Sequence, residues 1–340
     1  MYELLDNLIS PWLEQSCIVY LVFLSACILV GFSLLIKGGD WLCDHSTNIA
    51  YKLGVPPVVV GLTIVSIATS APELFTSISA LQSKAPGLIL GNIIGSNIAN
   101  IGLILGIALL IGDISTRDAV SLSQRTCLIL VTVGFCLVLT LSNNQEIGLL
   151  AGFGFLAFIA SYLIVLTRHA LINKKMESSL VQGGEPKKES SALIFSFIML
   201  MVSTTALWIG ADSLVYGSKN IAQLAGVPEE LIGFTVLAIG TSLPELAASI
   251  SLVKKRETAM LLGNIIGSNL FNISLIGGLA GLLGPVSSST PSPWIDYFFL
   301  ILTTLVLVYW LKGKSLTKKH GVLLLLIYSL ASVSTWLLNS

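Results

Sequence analysis

Ten apolar stretches dominate this sequence, and each is long enough to cross a lipid bilayer as a helix. A bilayer-spanning helix needs about 20 predominantly apolar residues. With 54% hydrophobic and only 11% charged residues spread along 340 positions, the chain has no soluble half. We therefore predict an all-α membrane protein with ten transmembrane helices, at approximately 18–36, 56–81, 87–111, 126–142, 147–166, 193–216, 231–253, 259–283, 294–311 and 321–338.

The basic residues predict how these helices are oriented. If the N-terminus is outside, sixteen of the 18 lysines and arginines fall in inside connections, and only Lys84 and Lys219 fall outside. Basic residues accumulate in cytoplasmic loops of membrane proteins. The sequence thus predicts a multi-pass integral membrane protein with both termini outside. The short central connection and the lack of appended regulatory domains favour a bacterial-type inner (plasma) membrane.

The remaining composition excludes several classes of function. Eighteen acidic and 18 basic residues give no net charge, so no nucleic-acid partner is expected. The five cysteines form no CxxC pair, and the three histidines lie outside the apolar stretches. We therefore expect neither a zinc site nor a buried histidine-based catalytic centre. No cofactor and no obligate protein partner is implied, and the lipid bilayer is the expected surroundings.

The sequence repeats itself at a constant spacing of 172 residues, from 38–103 to 210–275. Thr-Ser-Ala-Pro-Glu at 69–73 returns as Thr-Ser-Leu-Pro-Glu, and Gly-Asn-Ile-Ile-Gly-Ser-Asn at 91–97 returns unchanged. Because five helices, an odd number, separate the copies, the second must enter the membrane from the opposite side. We predict two inverted-topology five-helix repeats, typical of secondary transporters: residues 1–167 and 193–340, joined by a flexible cytoplasmic linker at 168–192.

Two glutamates, Glu73 and Glu245, are the only charged side chains deep within the predicted helices, and they occupy equivalent positions in the repeat. An ionised carboxylate at the bilayer centre costs at least ~2.5–3.5 kcal/mol, which a purely structural role rarely justifies. Each glutamate follows a proline, which has no backbone N–H to donate. The helices should therefore break at 69–71 and 241–243, where freed backbone oxygens would line a cavity.

All candidate ligands near the two glutamates carry oxygen. Thr69, Ser70, Thr241 and Ser242 supply hydroxyls beside the predicted breaks. Such a site suits hard cations: Ca²⁺ takes roughly six to eight oxygens, and two carboxylates would neutralise it. Freed carbonyls and hydroxyls would suit Na⁺. Competition of two ions for the same glutamates is the simplest physical basis for exchange.

The second motif adds amide and hydroxyl oxygens. In an unbroken helix Asn92, Ser96 and Asn100 share one face, because they follow one another at four-residue intervals. The glycines of each copy form GxxxG pairs, which favour close helix packing. That packing would bring the polar face against the broken helices. The preferred ligands from this motif are Asn100, Asn272, Ser96 and Ser268, ahead of Asn92 and Asn264.

At these two motifs the sequence resembles the cation/calcium exchanger superfamily, and within it the sodium/calcium exchanger type. The resemblance covers both repeats and nearly the whole chain. It implies an antiporter that extrudes Ca²⁺ by using inward Na⁺ movement. It also implies that broken second, third, seventh and eighth helices hold the ions, while the first and sixth helices slide across them to alternate access.

Position by position, the resemblance assigns the family's acidic pair to Glu73 and Glu245 and its first amide ligand to Asn100. The equivalent residue of the second repeat is often aspartate in this family and is Asn272 here, which removes one potential negative charge. That departure argues against K⁺ co-transport. The resemblance further places backbone and hydroxyl ligands at Thr69, Ser70, Thr241, Ser242, Ser96 and Ser268, and outer cavity positions at Ser66 and Ala238.

The residues leave other functions to be weighed against Na⁺/Ca²⁺ exchange. An H⁺-coupled Ca²⁺ or other divalent cation antiporter is the nearest alternative, because glutamates carry protons as readily as they bind metal ions. A channel would need a continuous pore rather than a midplane site between broken helices. A membrane-embedded enzyme would need a nucleophile and a base, and no His or Lys lies near Ser70 or Ser242 in the sequence.

Overall fold

The computed structural model describes residues 17–82, 86–117, 119–142, 146–180, 190–226, 240–287 and 293–339. Within these ranges the chain is helical apart from four two-residue strands. The helices are α1 (Cys17–Leu53), α2 (Pro57–Val60), α3 (Ser66–Thr69), α4 (Ala71–Gln82), α5 (Pro86–Ala99), α6 (Leu105–Ile111), α7 (Leu122–Leu141), α8 (Leu149–Leu180), α9 (Ser190–Leu224), α10 (Leu243–Lys254), α11 (Thr258–Phe271), α12 (Gly277–Leu283), α13 (Pro293–Trp310) and α14 (Lys318–Asn339).

In the described residues, three π-helical segments interrupt the α-helices without ending them. They are Gly61–Val65 between α2 and α3, Asn100–Ile104 between α5 and α6, and Asn272–Ile276 between α11 and α12. A π-helical turn holds one extra residue, which shifts the side chains around the helix axis. Two of the three segments begin at predicted ligands.

Eight helical segments of the described chain are long and apolar enough to cross a membrane. Pro57–Thr69 and Ala71–Leu81, bent by 43° at their junction, can be counted together as a ninth. The prediction of an all-α membrane protein is confirmed. The predicted seventh span, 231–253, lies partly outside the described residues. The eight segments are Ile18–Leu53, Leu88–Ile111, Leu122–Leu141, Leu149–Ala170, Leu193–Leu224, Thr258–Leu283, Pro293–Trp310 and Lys318–Leu337.

Much of the segment predicted as a flexible linker, 168–192, is helical. Helix α8 continues to Leu180, and α9 begins at Ser190. Residues 168–180 contain several good helix formers and neither Gly nor Pro, so the helix continues past the apolar stretch. Residues 181–189 lie outside the described chain.

The secondary structure repeats at the same spacing of 172 residues as the sequence. Helices α4, α5 and α6 return as α10, α11 and α12 with identical lengths, and the π-helical segment at Asn100–Ile104 returns at Asn272–Ile276. The strand β1 (Ile114–Ser115) returns as β3 (Val286–Ser287). Equal motifs therefore fold into equal local structures in both halves.

Two short antiparallel ladders mark opposite ends of the helix bundle. Strand β1 pairs with β4 (Ser315–Leu316), and β2 (Glu146–Ile147) pairs with β3. Helix α7 is the one helix between β1 and β2, so these strands lie at its two ends. Because β2 pairs with β3, the equivalent strands β1 and β3 lie at opposite ends as well.

Helices α1 and α9 are packed together through glycine. A Cβ atom on Gly31 would lie 2.8 Å from the carbonyl oxygen of Gly210, and one on Gly210 would lie 3.0 Å from the carbonyl oxygen of Gly31. Such backbone contact requires small residues on both helices. The close distance between α1 and α9 at this point is therefore possible because neither Gly31 nor Gly210 has a side chain.

We expect Gly31→Ala to destabilise the protein by about 1–3 kcal/mol, because the added methyl group must push two backbones apart. The measurement is the unfolding midpoint in detergent. The matched control is Gly154→Ala in α8, where a Cβ would meet no described atom within 4 Å. Alanine there should be neutral or should stabilise by up to about 1 kcal/mol. Equal midpoints for the two variants would contradict the predicted contact.

Candidate cation-binding site

The residue before each of α4 and α10 has the same non-helical backbone conformation in both halves of the chain. Helix α3 ends at Thr69, Ser70 has φ −84° and ψ 5°, and α4 begins at Ala71. In the second half Ser242 has φ −90° and ψ 5°, and α10 begins at the next residue. The prolines thus fall in the first turn of a new helix, where no backbone N–H is needed. The break expected at 69–71 is confirmed. In the second half a turn at 241–242 precedes α10, and residues 227–239 lie outside the described chain.

The two glutamates lie in the first turns of the helices that follow the breaks. Glu73 and Glu245 are both 0% exposed. A helix N-terminus stabilises a negatively charged side chain, because the N–H groups of the first turn carry partial positive charge and have no partner within the helix. The hydroxyl of Ser70 donates to Oε1 of Glu245 at 3.1 Å. One broken helix therefore contacts the carboxylate of the other, and both halves of the chain form one site.

Most of the carboxylate oxygens in this site have no hydrogen-bond partner among the described residues. These are both side-chain oxygens of Glu73 and Oε2 of Glu245. Buried polar atoms are nearly always paired, and leaving a charged one unpaired is costly. The same is true of further buried oxygens predicted as ligands: Asn100 Oδ1, Asn272 Oδ1, Ser242 Oγ and Ser268 Oγ. A group of unpaired buried oxygens is suited to a cation.

Ser66 and Thr69 hold the first broken helix against α11. The hydroxyl of Ser66 donates to the carbonyl oxygen of Gly61 at 2.6 Å and lies 3.3 Å from that of Asn264. The hydroxyl of Thr69 donates to Oδ1 of Asn264 at 3.3 Å. Asn264, ranked below the preferred ligands in the sequence, thus links the halves directly.

The close packing expected from the GxxxG pairs occurs in the second copy. A Cβ on Gly263 would lie 2.5 Å from the carbonyl oxygen of Val58, and one on Gly267 would overlap the hydroxyl of Ser66. For Gly91 and Gly95 a Cβ would meet no atom of the described chain within 4 Å. The equivalent partner segment, around 230–238, lies outside the described residues, so close packing there stays a prediction.

Asn92 supports the first broken helix rather than offering a free oxygen. Its Nδ2 donates to the carbonyl oxygen of Glu73 at 3.3 Å and to the hydroxyl of Ser77 at 3.1 Å. Ser96 donates to Oδ1 of Asn92 at 3.5 Å. This chain of contacts connects α5 to the backbone beside the glutamate.

The third and eighth predicted helices are continuous, so the expectation that they are broken is wrong. Asn100 and Asn272 each begin a π-helical segment. The N–H of Leu105 donates to the carbonyl of Asn100, and that of Gly277 to the carbonyl of Asn272, each five residues back. The wider turn redirects side chains without breaking the helix. No Pro marks these turns in the sequence.

Eleven of the twelve residues predicted to form the site lie within the described part of the chain. Ten of them are buried, and Thr241 is half-buried at the second break. Ala238 lies outside the described residues. Two buried asparagines that the sequence analysis did not single out, Asn97 and Asn269, join the hydrogen-bond network between α5 and α11. The sequence feature that could have identified them is their position as the last residue of each GNIIGSN copy.

Comparison with known proteins identifies the chain's relatives. The sodium/calcium exchanger protein family matches residues 23–168 and 195–337. The chain is 32% identical to the sodium/calcium exchanger MaX1 of Methanosarcina acetivorans, over 88% of this chain and 95% of that protein. It is 31% identical to the inner membrane protein YrbG of Escherichia coli K12, over 88% of this chain and 93% of that protein.

The fold also matches a solved structure of an exchanger. The sodium-calcium exchanger NCX_Mj, soaked with 10 mM Na⁺ and zero Ca²⁺, superimposes with a TM-score of 0.78 at 28% identity. The match covers 92% of this chain and 99% of that one.

We expect Ca²⁺ to raise the unfolding midpoint of the wild-type protein, because an ion that binds only the folded state stabilises it by about 2.7 kcal/mol at 100 times its dissociation constant. Glu73→Gln should abolish most of this shift, since it removes one of the two buried charges. The measurement is thermal unfolding in detergent with and without Ca²⁺. Glu146→Gln, in the half-buried strand β2, should keep the shift. A full shift in Glu73→Gln would exclude this carboxylate from the site.

Proposed function

Because the chain belongs to the sodium/calcium exchanger family, as the match over residues 23–168 and 195–337 shows, we propose that it exchanges Na⁺ for Ca²⁺ across a membrane. It is a transport protein and not an enzyme. The exchange takes place at one site between Glu73 and Glu245, which binds the two ions in alternation. Na⁺ and Ca²⁺ are its substrates, and it needs no resident cofactor.

The observation that carries this proposal is the set of unpaired oxygens around the two glutamates. Both carboxylates are fully buried, and three of their four oxygens have no partner among the described residues. Two carboxylates neutralise one Ca²⁺, and hydroxyl and amide oxygens complete the larger coordination number that Ca²⁺ prefers. Several Na⁺ ions can use the same oxygens, so the two kinds of ion compete. The proposed ligands are Glu73, Glu245, Asn100, Asn272, Thr69, Thr241, Ser70, Ser242, Ser96 and Ser268, with Ser66 and Ala238 at the outer positions.

The two halves are inverted relative to each other in this proposal, and ten helices cross the membrane. The support is the placement of the equivalent strands β1 and β3 at opposite ends of the bundle, in separate ladders. An inverted pair of five-helix repeats, 1–167 and 193–340, places equivalent broken helices together near the bilayer midplane. Such a site can face either side in turn.

Alternating access is proposed to come from movement of α1 and α9 across the broken helices. The contact between these two helices at Gly31 and Gly210 is backbone against backbone. A glycine contact of this kind holds the two helices together as one unit. The pair can then move together while the site residues stay in place.

The proposed location is a bacterial-type inner membrane with both termini outside. Sixteen of 18 basic residues then lie on the cytoplasmic side. The relative from Escherichia coli is named as an inner membrane protein, which agrees with this placement. In that orientation inward Na⁺ movement would drive Ca²⁺ out of the cell.

Asn272 distinguishes this site from family members that carry aspartate at that position. An amide supplies an oxygen without a charge, so the described site has two buried carboxylates, Glu73 and Glu245. We therefore propose that K⁺ is not co-transported. Coupling to H⁺ remains the second candidate, because the same two carboxylates can bind protons.

The test is Ca²⁺ uptake into Na⁺-loaded proteoliposomes, with the outside medium either low in Na⁺ or matched to the inside. Uptake should require the outward Na⁺ gradient, ignore an imposed pH gradient and be unaffected by K⁺. Glu245→Gln should lower uptake at least roughly tenfold, because only one carboxylate then remains to bind and neutralise Ca²⁺. Glu257→Gln, beyond the end of α10, is the matched control and should transport normally.

Two results would overturn parts of this proposal. Uptake that follows the pH gradient and ignores Na⁺ would replace Na⁺ by H⁺ as the coupling ion. Full uptake by Glu245→Gln under a Na⁺ gradient would retain the exchange but remove the site from between the two glutamates.

A further inference from the structure

Asn97 and Asn269 are buried between α5 and α11 and are not among the proposed ligands. They are 0% and 1% exposed, and they are equivalent residues of the repeat. Nδ2 of Asn269 donates to the backbone oxygen of Asn97 at 3.4 Å. Oδ1 of Asn269 accepts from Nδ2 of Asn100 at 3.0 Å. The side chain of Asn269 thus connects a backbone carbonyl to a proposed ligand.

The direction of these two hydrogen bonds follows from chemistry alone. A backbone carbonyl can only accept, so the NH₂ end of Asn269 must face Asn97. The opposite end of Asn269 is then its oxygen, which can also only accept. Asn100 must therefore present its own NH₂ end to Asn269. Its Oδ1 is turned away and has no hydrogen-bond partner among the described residues.

We propose that Asn269 is a positioning residue that presents the oxygen end of Asn100 to the transported cation. An asparagine side chain has an oxygen end and an NH₂ end of nearly equal size, and only the oxygen end binds a cation. Without an acceptor at Asn269, nothing in this contact prevents the amide of Asn100 from turning by half a revolution. The inference rests on the proposed function, since it takes Asn100 as an ion ligand.

No equivalent hydrogen bond from Asn97 orients the amide of Asn272 among the described residues. Nδ2 of Asn97 donates to the carbonyl oxygen of Ile93 within its own helix at 2.7 Å. Oδ1 of Asn97 and both amide atoms of Asn272 have no partner in the described part of the chain. Asn100 is therefore oriented in advance, whereas Asn272 has no such contact among the residues that the structure describes. The positioning role thus falls on Asn269 specifically.

The test is a double-mutant cycle on the full-length protein, with the Ca²⁺ dissociation constant measured by titration calorimetry in Na⁺-free detergent solution. The variants are Asn269→Leu, Asn100→Asp and the two combined. In the protein with asparagine at 100, Asn269→Leu should raise the dissociation constant about three- to tenfold, as expected for one lost hydrogen bond. In the Asn100→Asp protein the same change should cause no rise, because both ends of a carboxylate are oxygen.

A packing role for Asn269 predicts a different pattern, because the cavity or strain left by leucine is the same in both backgrounds. An equal rise of the dissociation constant with and without Asn100→Asp would overturn the positioning role. An unchanged dissociation constant in Asn269→Leu would overturn it as well. If Asn269→Leu does not fold, Asn269→Ala removes the same acceptor and replaces it in the cycle.

Failure of the proposed function gives a separate result in the same experiment. A wild-type protein that binds no Ca²⁺ and takes up none under a Na⁺ gradient would refute the exchange itself. Wild-type binding and transport with a cycle that shows no interaction between the two positions would refute only the role of Asn269.

Discussion

The burial of two carboxylates in the middle of a hydrophobic bundle is the constraint on which the rest of the structure depends. Glu73 and Glu245 are fully buried, and of their four side-chain oxygens only one accepts a hydrogen bond from another side chain in the described chain. An unpaired charge in such surroundings is strongly destabilising. A cation or a proton bound to these oxygens removes the unpaired charge, so the cost of burial and the ability to bind an ion have the same origin.

The helices around the glutamates are shaped to make that burial possible. Proline lies at the second position of both α4 and α10, so each carboxylate is in the first turn of a helix, at its N-terminus. Glycines 263 and 267 then let α11 approach the first broken helix to backbone contact. The π-helical segments at Asn100 and Asn272 turn additional amides towards the same region without interrupting the helix. Each of these features is local, and the repeat supplies several of them twice.

Much of the fold could be predicted because it depends on features of the sequence that are local, such as apolar stretches, prolines and repeated motifs. The length of the apolar stretches predicted the spanning helices. Pro72 and Pro244 predicted where α4 and α10 begin. The constant spacing of 172 residues carried over from sequence to secondary structure without a shift. The two glutamates could be singled out because a charge in an apolar stretch is costly.

Other features depend on tertiary contacts that a single sequence does not reveal. The π-helical segments are set by packing around continuous helices, and nothing at Asn100 or Asn272 breaks the hydrophobic pattern. Helix α8 runs to Leu180 because helix propensity continues where hydrophobicity ends. The role of Asn269 follows only from which atoms face one another across α5 and α11, because the sequence shows that Asn269 ends its GNIIGSN copy but not which atoms its side chain contacts.

The most direct test of a two-glutamate cation site is anomalous diffraction at long wavelength from crystals grown with Ca²⁺ and without Na⁺. The account predicts a calcium peak between Glu73 and Glu245, with oxygens of both carboxylates at roughly 2.3–2.6 Å from the ion. A calcium peak confined to exposed carboxylates such as Asp40 and Asp44, which lie beside Lys255, with none between the two glutamates, would contradict it.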